Sequence, residues 1–210
     1  MIILQYFIPL AKEILYLKLR TDLKNGLEQL IQGVKMLYRF DGNQPKIAKS
    51  AYVSELASVI GDVVIGKNCY IGHGAILRGD YGKIIIGAGS AVEEGVVIHA
   101  PPGETNKIGE KATMGHGAIL HGRLIGDRAV IGMGAVLSIW SEIGEQSIVA
   151  EGTVVKLKQK IPPRMVAAGN PATIIRKISS EDEAFWDYGK QLYIDLAEKY
   201  NTLGMEPVDR

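Results

Sequence analysis

An all-β solenoid, a parallel β-helix with a helical segment at each end, is the fold this sequence predicts, on three observations. Aliphatic residues recur at every sixth position: Ile47, Val53, Val59, Ile65, Ile71 and Leu77, then Ile86, Val92 and Ile98, then Ile108, Met114 and Leu120. One residue short, the series resumes as Ile125, Ile131, Leu137, Ile143, Val149 and Val155. The position four after each member is small or modest, as at Ala51, Ala57, Val63, Cys69, Ala75, Ala112, Ala129, Ser141 and Thr153. Glycine commonly follows the aliphatic residue, as in Ile65-Gly66, Ile86-Gly87, Ile108-Gly109 and Ile143-Gly144. A helix needs apolar residues at 3.6 spacing and a half-buried strand alternates with period two, so neither explains a strict six. Hexapeptide repeats explain it: each makes one flat side of a prism, and three sides, about 18 residues, complete a coil. The aliphatic residue points inward, the small residue fills the corner, and glycine permits a sharp corner that a Cβ resists.

Each element follows in order. Residues 1–35 carry Leu4, Phe7, Ile8, Ala11, Ile14, Leu15, Leu19, Leu23, Leu27, Leu30, Ile31 and Val34 at helical spacing, with a cap at Thr21-Asp22. They form a helical arm or an upstream extension, since Met36 opens a segment that reads as a natural start. Residues 36–178 are the β-helix domain, interrupted at Arg78–Lys83 and at Ala100–Lys107. The second interruption, rich in Pro and Gly, predicts a loop projecting from the stack. Prolines between residues 161 and 178 end the coils. Residues 179–203 form a helix with Glu181, Asp182 and Glu183 in its first turn, where they suit the helix dipole. Its expected apolar face, Phe185, Tyr188, Leu192, Tyr193, Leu196 and Tyr200, packs along the prism. Residues 204–210 are a tail.

Composition excludes several classes. The 210 residues suit one domain with appendages, and 47% apolar content is ample for a core. A formal net charge of +1 argues against nucleic acid and against an anionic membrane. The apolar run Met1–Ala11 lacks a basic leader and stops at Lys12-Glu13, well short of the roughly 20 residues that span a bilayer. A cytoplasmic location is expected. Cys69, the single cysteine, excludes an internal disulfide and falls at a small inward position, so packing is its expected role.

Three of the four histidines, His99, His116 and His121, cluster around the expected loop; His73 lies outside and is expected to be solvated. His99 follows Ile98 and His121 follows Leu120, so the two share a frame position and can stack one coil apart. His116 and His121 are separated by about one prism side and do not easily converge within one chain. Sharing across a threefold oligomer would bring all three together at every interface. Three imidazoles with an open position are the ligand set of a catalytic Zn²⁺, which supplies hydroxide at neutral pH. Dispersed surface histidines are the other reading of the spacing.

At these residues the chain resembles the γ-class carbonic anhydrases and their close relatives, over about residues 36–203. The resemblance rests on LRGD (Leu77–Asp80), VVIH ending in His99, MGHGAILHG (Met114–Gly122), GMGAVL (Gly132–Leu137) and AGNPATIIRKI near the end. It implies a left-handed β-helix and a homotrimer. It implies metal between subunits on His99, His116 and His121, with zinc usual and iron or cobalt as substitutes. Arg78 and Asp80 would serve subunit pairing and shape the site, and Tyr193 would lean into it from the terminal helix or pack as a helix-face aromatic. Glu104 would be a proton shuttle or a solvated loop residue. The family's Asn-Val-Gln-Asp run reads Ala91-Val92-Glu93-Glu94 here: Ala91 removes an amide, and Glu93, ionised, only accepts. Glu93 could act as a base yet would repel bicarbonate. The expected function is reversible hydration of CO2 by metal-bound hydroxide. Alternatives are acyl transfer from acyl-CoA, a metal-dependent thioesterase or other hydrolase, and a non-catalytic trimeric assembly subunit.

Overall fold

The structure, a computed structural model, describes residues 36–208 together with Lys18 and Arg20. Apart from those two residues, the expected arm over 1–35 falls outside the described residues. Short parallel strands, most of two residues, stack coil on coil into three faces. The first face aligns Val59, Leu77, Ile98, Leu120, Leu137 and Val155. The second aligns Ile47, Ile65, Ile86, Ile108, Ile125, Ile143 and Ile161. The third aligns Val53, Ile71, Val92, Met114, Ile131, Val149 and Ala167. These side chains point inward and, Ile47 apart, are buried, as are the small residues between them. The six-residue period is therefore the core itself.

Both interruptions take a form the sequence reading did not foresee. Ser58–Ile65 and Ile76–Ile86 are long strands that pair with each other and round the edge between the first and second faces. The extra residues at Arg78–Lys83 are thus absorbed into a continuous strand. The expected projecting loop is confined to a tight turn at Pro101–Glu104, closed by a Glu104 N–H to Pro101 carbonyl bond of 3.1 Å; pairing resumes at Thr105.

The glycine after the inward aliphatic also answers to a different constraint from the one expected. A Cβ on Gly87 would lie 2.4 Å from the Gly109 carbonyl carbon, and one on Gly144 2.3 Å from the Pro163 nitrogen. Close approach of coils, not backbone bending, excludes a side chain there. Positive φ does occur at corners, but the corner between the second and third faces uses one glycine, Gly89, beside Asn68, Lys111, Arg128, Gln146 and Arg164.

Two of those corner residues, Arg128 and Arg164, bond to the helix α1 (Ser180–Leu203), which Ser179 caps in a reciprocal box with Asp182. Arg128 donates to both carboxylate oxygens of Asp187 at 2.5 and 2.6 Å, and Arg164 pairs with Glu183. Tyr193, Leu196, Ala197 and Tyr200 pack on Tyr52, Tyr70 and Ala91 of the third face, as expected of a helix covering the prism. Phe185, Tyr188 and Leu192, expected on that packed face, instead point outward, at 68%, 67% and 49% exposure. Cys69 is buried, and burial pushes its thiol up to about 11, in keeping with a packing role. Among the described residues no helix is long and apolar enough to cross a membrane.

Candidate functional site

The first face carries histidines along both of its edges. On the edge shared with the second face, His99 and His121 each follow an inward residue, and their rings stack at 4.7 Å and 24°. His99 pairs in register with Arg78 of the preceding coil. Its Nε2 lies 3.0 Å from Asp80 Oδ1 and its Nδ1 3.3 Å from Arg78 Nη2, while Arg78 Nη1 donates to Asp80 Oδ2 at 2.7 Å. Burial works against the Asp80 carboxylate, yet hydrogen bonds from His99, the Tyr81 backbone and Arg78 hold it below its usual range. His121 is held below the ordinary imidazole value, first by burial and then by neighbouring His99 and Arg78.

His116 sits on the opposite edge of the same face, where the chain turns from the third face between Gly115 and Gly117. Its Nδ1 lies 2.8 Å from Glu94 Oε2 and its Nε2 3.1 Å from Glu93 Oε2, whose carboxylate also accepts from the His116 backbone N–H at 3.1 Å. Tyr70 donates to Glu94 Oε1 at 2.6 Å. Burial pushes Glu93 above the usual carboxylate range against the pull of His116 and Tyr193. Tyr193 is raised in turn, by burial and by Glu93, and lies beside this group while packing on the prism from α1.

Two further sequence candidates lie elsewhere. Glu104 is exposed in its turn and lines a hollow with Arg123 and Trp140. His73 is not the solvated residue expected: its Nδ1 lies 2.6 Å from Ser54 Oγ, and its ring is edge-on to Tyr52 and Tyr200. Glu94 and Tyr70 were missed. Their signal was the doubled Glu93-Glu94 one coil before His116, with an outward tyrosine one coil earlier again.

No three potential ligands converge within one chain among the described residues. Both ring nitrogens of His99 and of His116 have partners, so a metal shared between chains would have to displace one partner from each. His121 Nε2 is buried and meets no hydrogen-bond partner among the described residues, an arrangement that costs free energy unless a ligand fills it. His99 stands against it, and His116 is presented from the far edge of the same face.

Fold and repeat define a left-handed parallel β-helix built of hexapeptides, and known proteins agree. A family model described as the hexapeptide repeat of succinyl-transferase matches residues 62–100 and 106–138. The carnitine operon protein CaiE of Escherichia coli K12 is 42% identical over 149 residues, 71% of this chain and 76% of that protein. CaiE of Proteus sp. LE138 is 39% identical over 160 residues, 76% of this chain and 81% of that protein. The BC4754 product of Bacillus cereus, provisionally described as an acetyltransferase, superposes with a TM-score of 0.78 at 32% identity, over 80% of this chain and 98% of that one. A hexapeptide transferase family protein of Anaplasma phagocytophilum gives 0.70 at 28% identity, over 79% and 98%. The chain belongs to the hexapeptide-repeat family that includes the carnitine operon protein CaiE. This is broader than the carbonic anhydrase resemblance, and the relatives named here are a carnitine operon protein and transferases.

Proposed function

We propose that this protein is a metal-dependent enzyme acting on an acyl-CoA thioester, by acyl transfer or hydrolysis, at sites between the subunits of a homotrimer. The observation that carries the reading is the split of the histidines between the two edges of one flat face. A copy that sets its His116 edge against the His99–His121 edge of the next repeats that contact around a ring, and three flat faces close it. The face itself supports such burial: Ile76, Val97, Ile119, Val136 and Val154 form an outward aliphatic ladder, with Ile76 and Ile119 38% and 49% exposed.

His99, His121 and the partner-edge His116 would hold the ion. A bound Zn²⁺, or iron or cobalt, would polarise a carbonyl or supply hydroxide. The chain's own groups supply the rest. Asp80 orients His99, and Arg78 sets a cation beside the pair where negative charge would develop on a thioester oxygen. Glu94, tied by Tyr70, orients His116. Glu93, shielded from water beside His116, is placed to take a proton from an acceptor or from water and to return it to the leaving thiol. The transferase character of the relatives favours acyl transfer over CO2 hydration.

Hydration of CO2 is the second reading, favoured by the three-histidine set and opposed by Ala91 and Glu93, which remove amides that could donate to bicarbonate. Thiol release from acetyl-CoA and longer acyl-CoAs, with and without an amine or hydroxyl acceptor, is to be measured beside stopped-flow CO2 hydration on zinc- and iron-loaded protein. Thiol release dependent on His99, His116 and His121 supports the proposal. CO2 hydration without thiol release replaces it, and neither activity from metal-loaded trimer would leave a non-catalytic assembly subunit.

A further inference from the structure

Away from the histidines, Lys190 is a buried amine that the proposed chemistry leaves unused. It belongs to α1, is only 4% exposed, and lines a narrow cleft against the prism with Val130 and Trp186. Its Nζ stands 5.5 Å from the centre of the Trp186 ring, a contact that replaces little of the hydration an ammonium loses on burial. Every carboxylate lining the cleft is already engaged. Arg128 holds Asp187, Arg164 holds Glu183, and Arg176 holds Asp182. Among the described residues Lys190 enters no salt bridge, although Asp187 is its neighbour one turn back on α1.

Beside the amine is a cavity of about 160 Å³, bounded by Lys111, Arg128, Asp187 and Lys190. That is well below the roughly 300–1,000 Å³ of a site for a drug-sized ligand, so its occupant is a molecule of a few atoms. A Cβ on Gly89 would lie 3.3 Å from Lys111 Cγ and 3.2 Å from Ile194 Cδ1, so the stem of Lys111 and the helix close on the same glycine. Around the cavity Arg128 and Asp187 cancel, which leaves Lys111 without a counter-charge among the described residues. A protonated Lys190 would add a second uncompensated cation. Burial pulls the amine down to about 8, with Arg128 adding to the effect and Asp187 opposing it. At that pH Lys190 carries about a hundredfold more free amine than an ordinary lysine near 10.4.

We propose that Lys190 is a CO2-accepting residue, its side-chain nitrogen forming a carbamate that occupies this cavity and faces Lys111 and Arg128. The lone pair of the neutral amine attacks the carbon of CO2, one C=O electron pair moves onto oxygen, and the nitrogen gives up one proton to water. Amine and CO2 thus become R–NH–COO⁻ and H⁺, and neither oxidant nor reductant is needed. The step turns an unpaired buried amine into a fourth carboxylate, and Lys111 gains the counter-charge it lacks. It uses none of the histidines, so it stands or falls apart from the acyl-CoA reading.

The full chain at pH 8 is to be equilibrated with ¹³C-labelled CO2 and bicarbonate and read by ¹³C NMR. Trapping by O-alkylation with a trialkyloxonium salt, followed by peptide mass spectrometry, then locates the label. One carbamate resonance that saturates with CO2, and a trapped group on the peptide holding Lys190, are expected. Lys190→Met keeps the bulk of the side chain and removes the buried amine; it should stay folded and lose both signals. Lys111→Asn, a residue that accepts the positive φ of 51° there, should weaken CO2 binding by about fivefold. At fixed dissolved CO2 the occupancy should rise with pH, because the reaction consumes free amine and releases a proton. The chain has two tryptophans, so in a Trp140→Phe background Trp186 should report the same saturation by fluorescence. No trapped group on the Lys190 peptide, at CO2 pressures that label the α-amino group of a standard peptide, overturns the proposal. Label spread evenly over the lysines overturns it as well. Inorganic phosphate giving the same Trp186 change, with nothing trapped, would make the cavity an anion pocket and overturn the covalent site.

Discussion

The two edges of the first face hold histidines in opposite states. At the His99–His121 edge the rings stack on each other, one of them bound by Asp80 and Arg78, and His121 Nε2 is buried without a partner among the described residues. At the His116 edge both ring nitrogens face carboxylates, and a tyrosine fixes one of those carboxylates in turn. One edge leaves a buried imidazole nitrogen unpaired among the described residues, and the other pairs both of its own. Under the proposed trimer, a second copy would bring the two edges together.

The largest effect expected from that contrast is on metal content. His121→Ala and His99→Ala should each lose more than nine-tenths of the metal of zinc-reconstituted protein, read by elemental mass spectrometry, as should His116→Ala, on the order of the loss when a ligand is deleted. His73→Ala should keep it. Full metal in His116→Ala would mean that one edge suffices and would break the comparison. Mixing His116→Ala with His99→Ala chains should restore metal at a subset of interfaces. No recovery after demonstrated subunit exchange would rule out sharing.

A smaller effect should follow from loosening the donor edge. Glu94→Gln and Tyr70→Phe remove groups that orient His116 without touching the other edge, and each should weaken zinc affinity by about tenfold in chelator competition. Equal affinity would show that the carboxylate merely neutralises His116. Glu93→Gln separates the two chemical readings. If Glu93 moves the proton in thioester chemistry, thiol release should fall by about 10²-fold with metal retained. If its charge instead obstructs bicarbonate, CO2 hydration should rise, most clearly with Ala91→Asn added.

The smallest effects concern α1, which covers the flank of the donor edge. Arg128→Ala should cost only about 0.5 kcal/mol, because the pair with Asp187 is well exposed. Lys190, a residue of α1 that is only 4% exposed, is pulled down to about 8 by burial. Below that pH the amine is charged both folded and unfolded, and the full cost of burying it falls on the folded state. Between about 8 and 10.5 the unfolded chain binds more protons than the folded one, so stability should rise with pH across that window. Chemical denaturation should show the rise, and Lys190→Met should remove it.

The sequence displayed the prism openly because its period is set by the core: an inward position every sixth residue is a requirement that no other fold shares. The same register placed His99 over His121 before any coordinates. What it could not display lies between coils or between elements. Gly87 reads as a flexible corner and is in fact a site of backbone contact with Gly109. α1 packs on the prism through Tyr193, Leu196, Ala197 and Tyr200, so Phe185 and Tyr188 face outward despite their helical spacing. His73 with Ser54, and Glu94 with Tyr70, are polar pairs whose side-chain directions at the corners the repeat frame does not specify.

The strand Ile76–Ile86, which rounds an edge of the prism without a turn, acts as a hoop. Its amides pair with neighbours on two faces at once, so the coils it joins cannot peel away singly as the outer coils of a solenoid do. Amide hydrogens of Leu77, Arg78, Ile84 and Ile85 should therefore exchange together and only on global opening, whereas those near Val154 and Lys160 should exchange by local fraying. Asp80 and Arg78 ride on this hoop. The part of the molecule that steers His99 is thus also the last part to open.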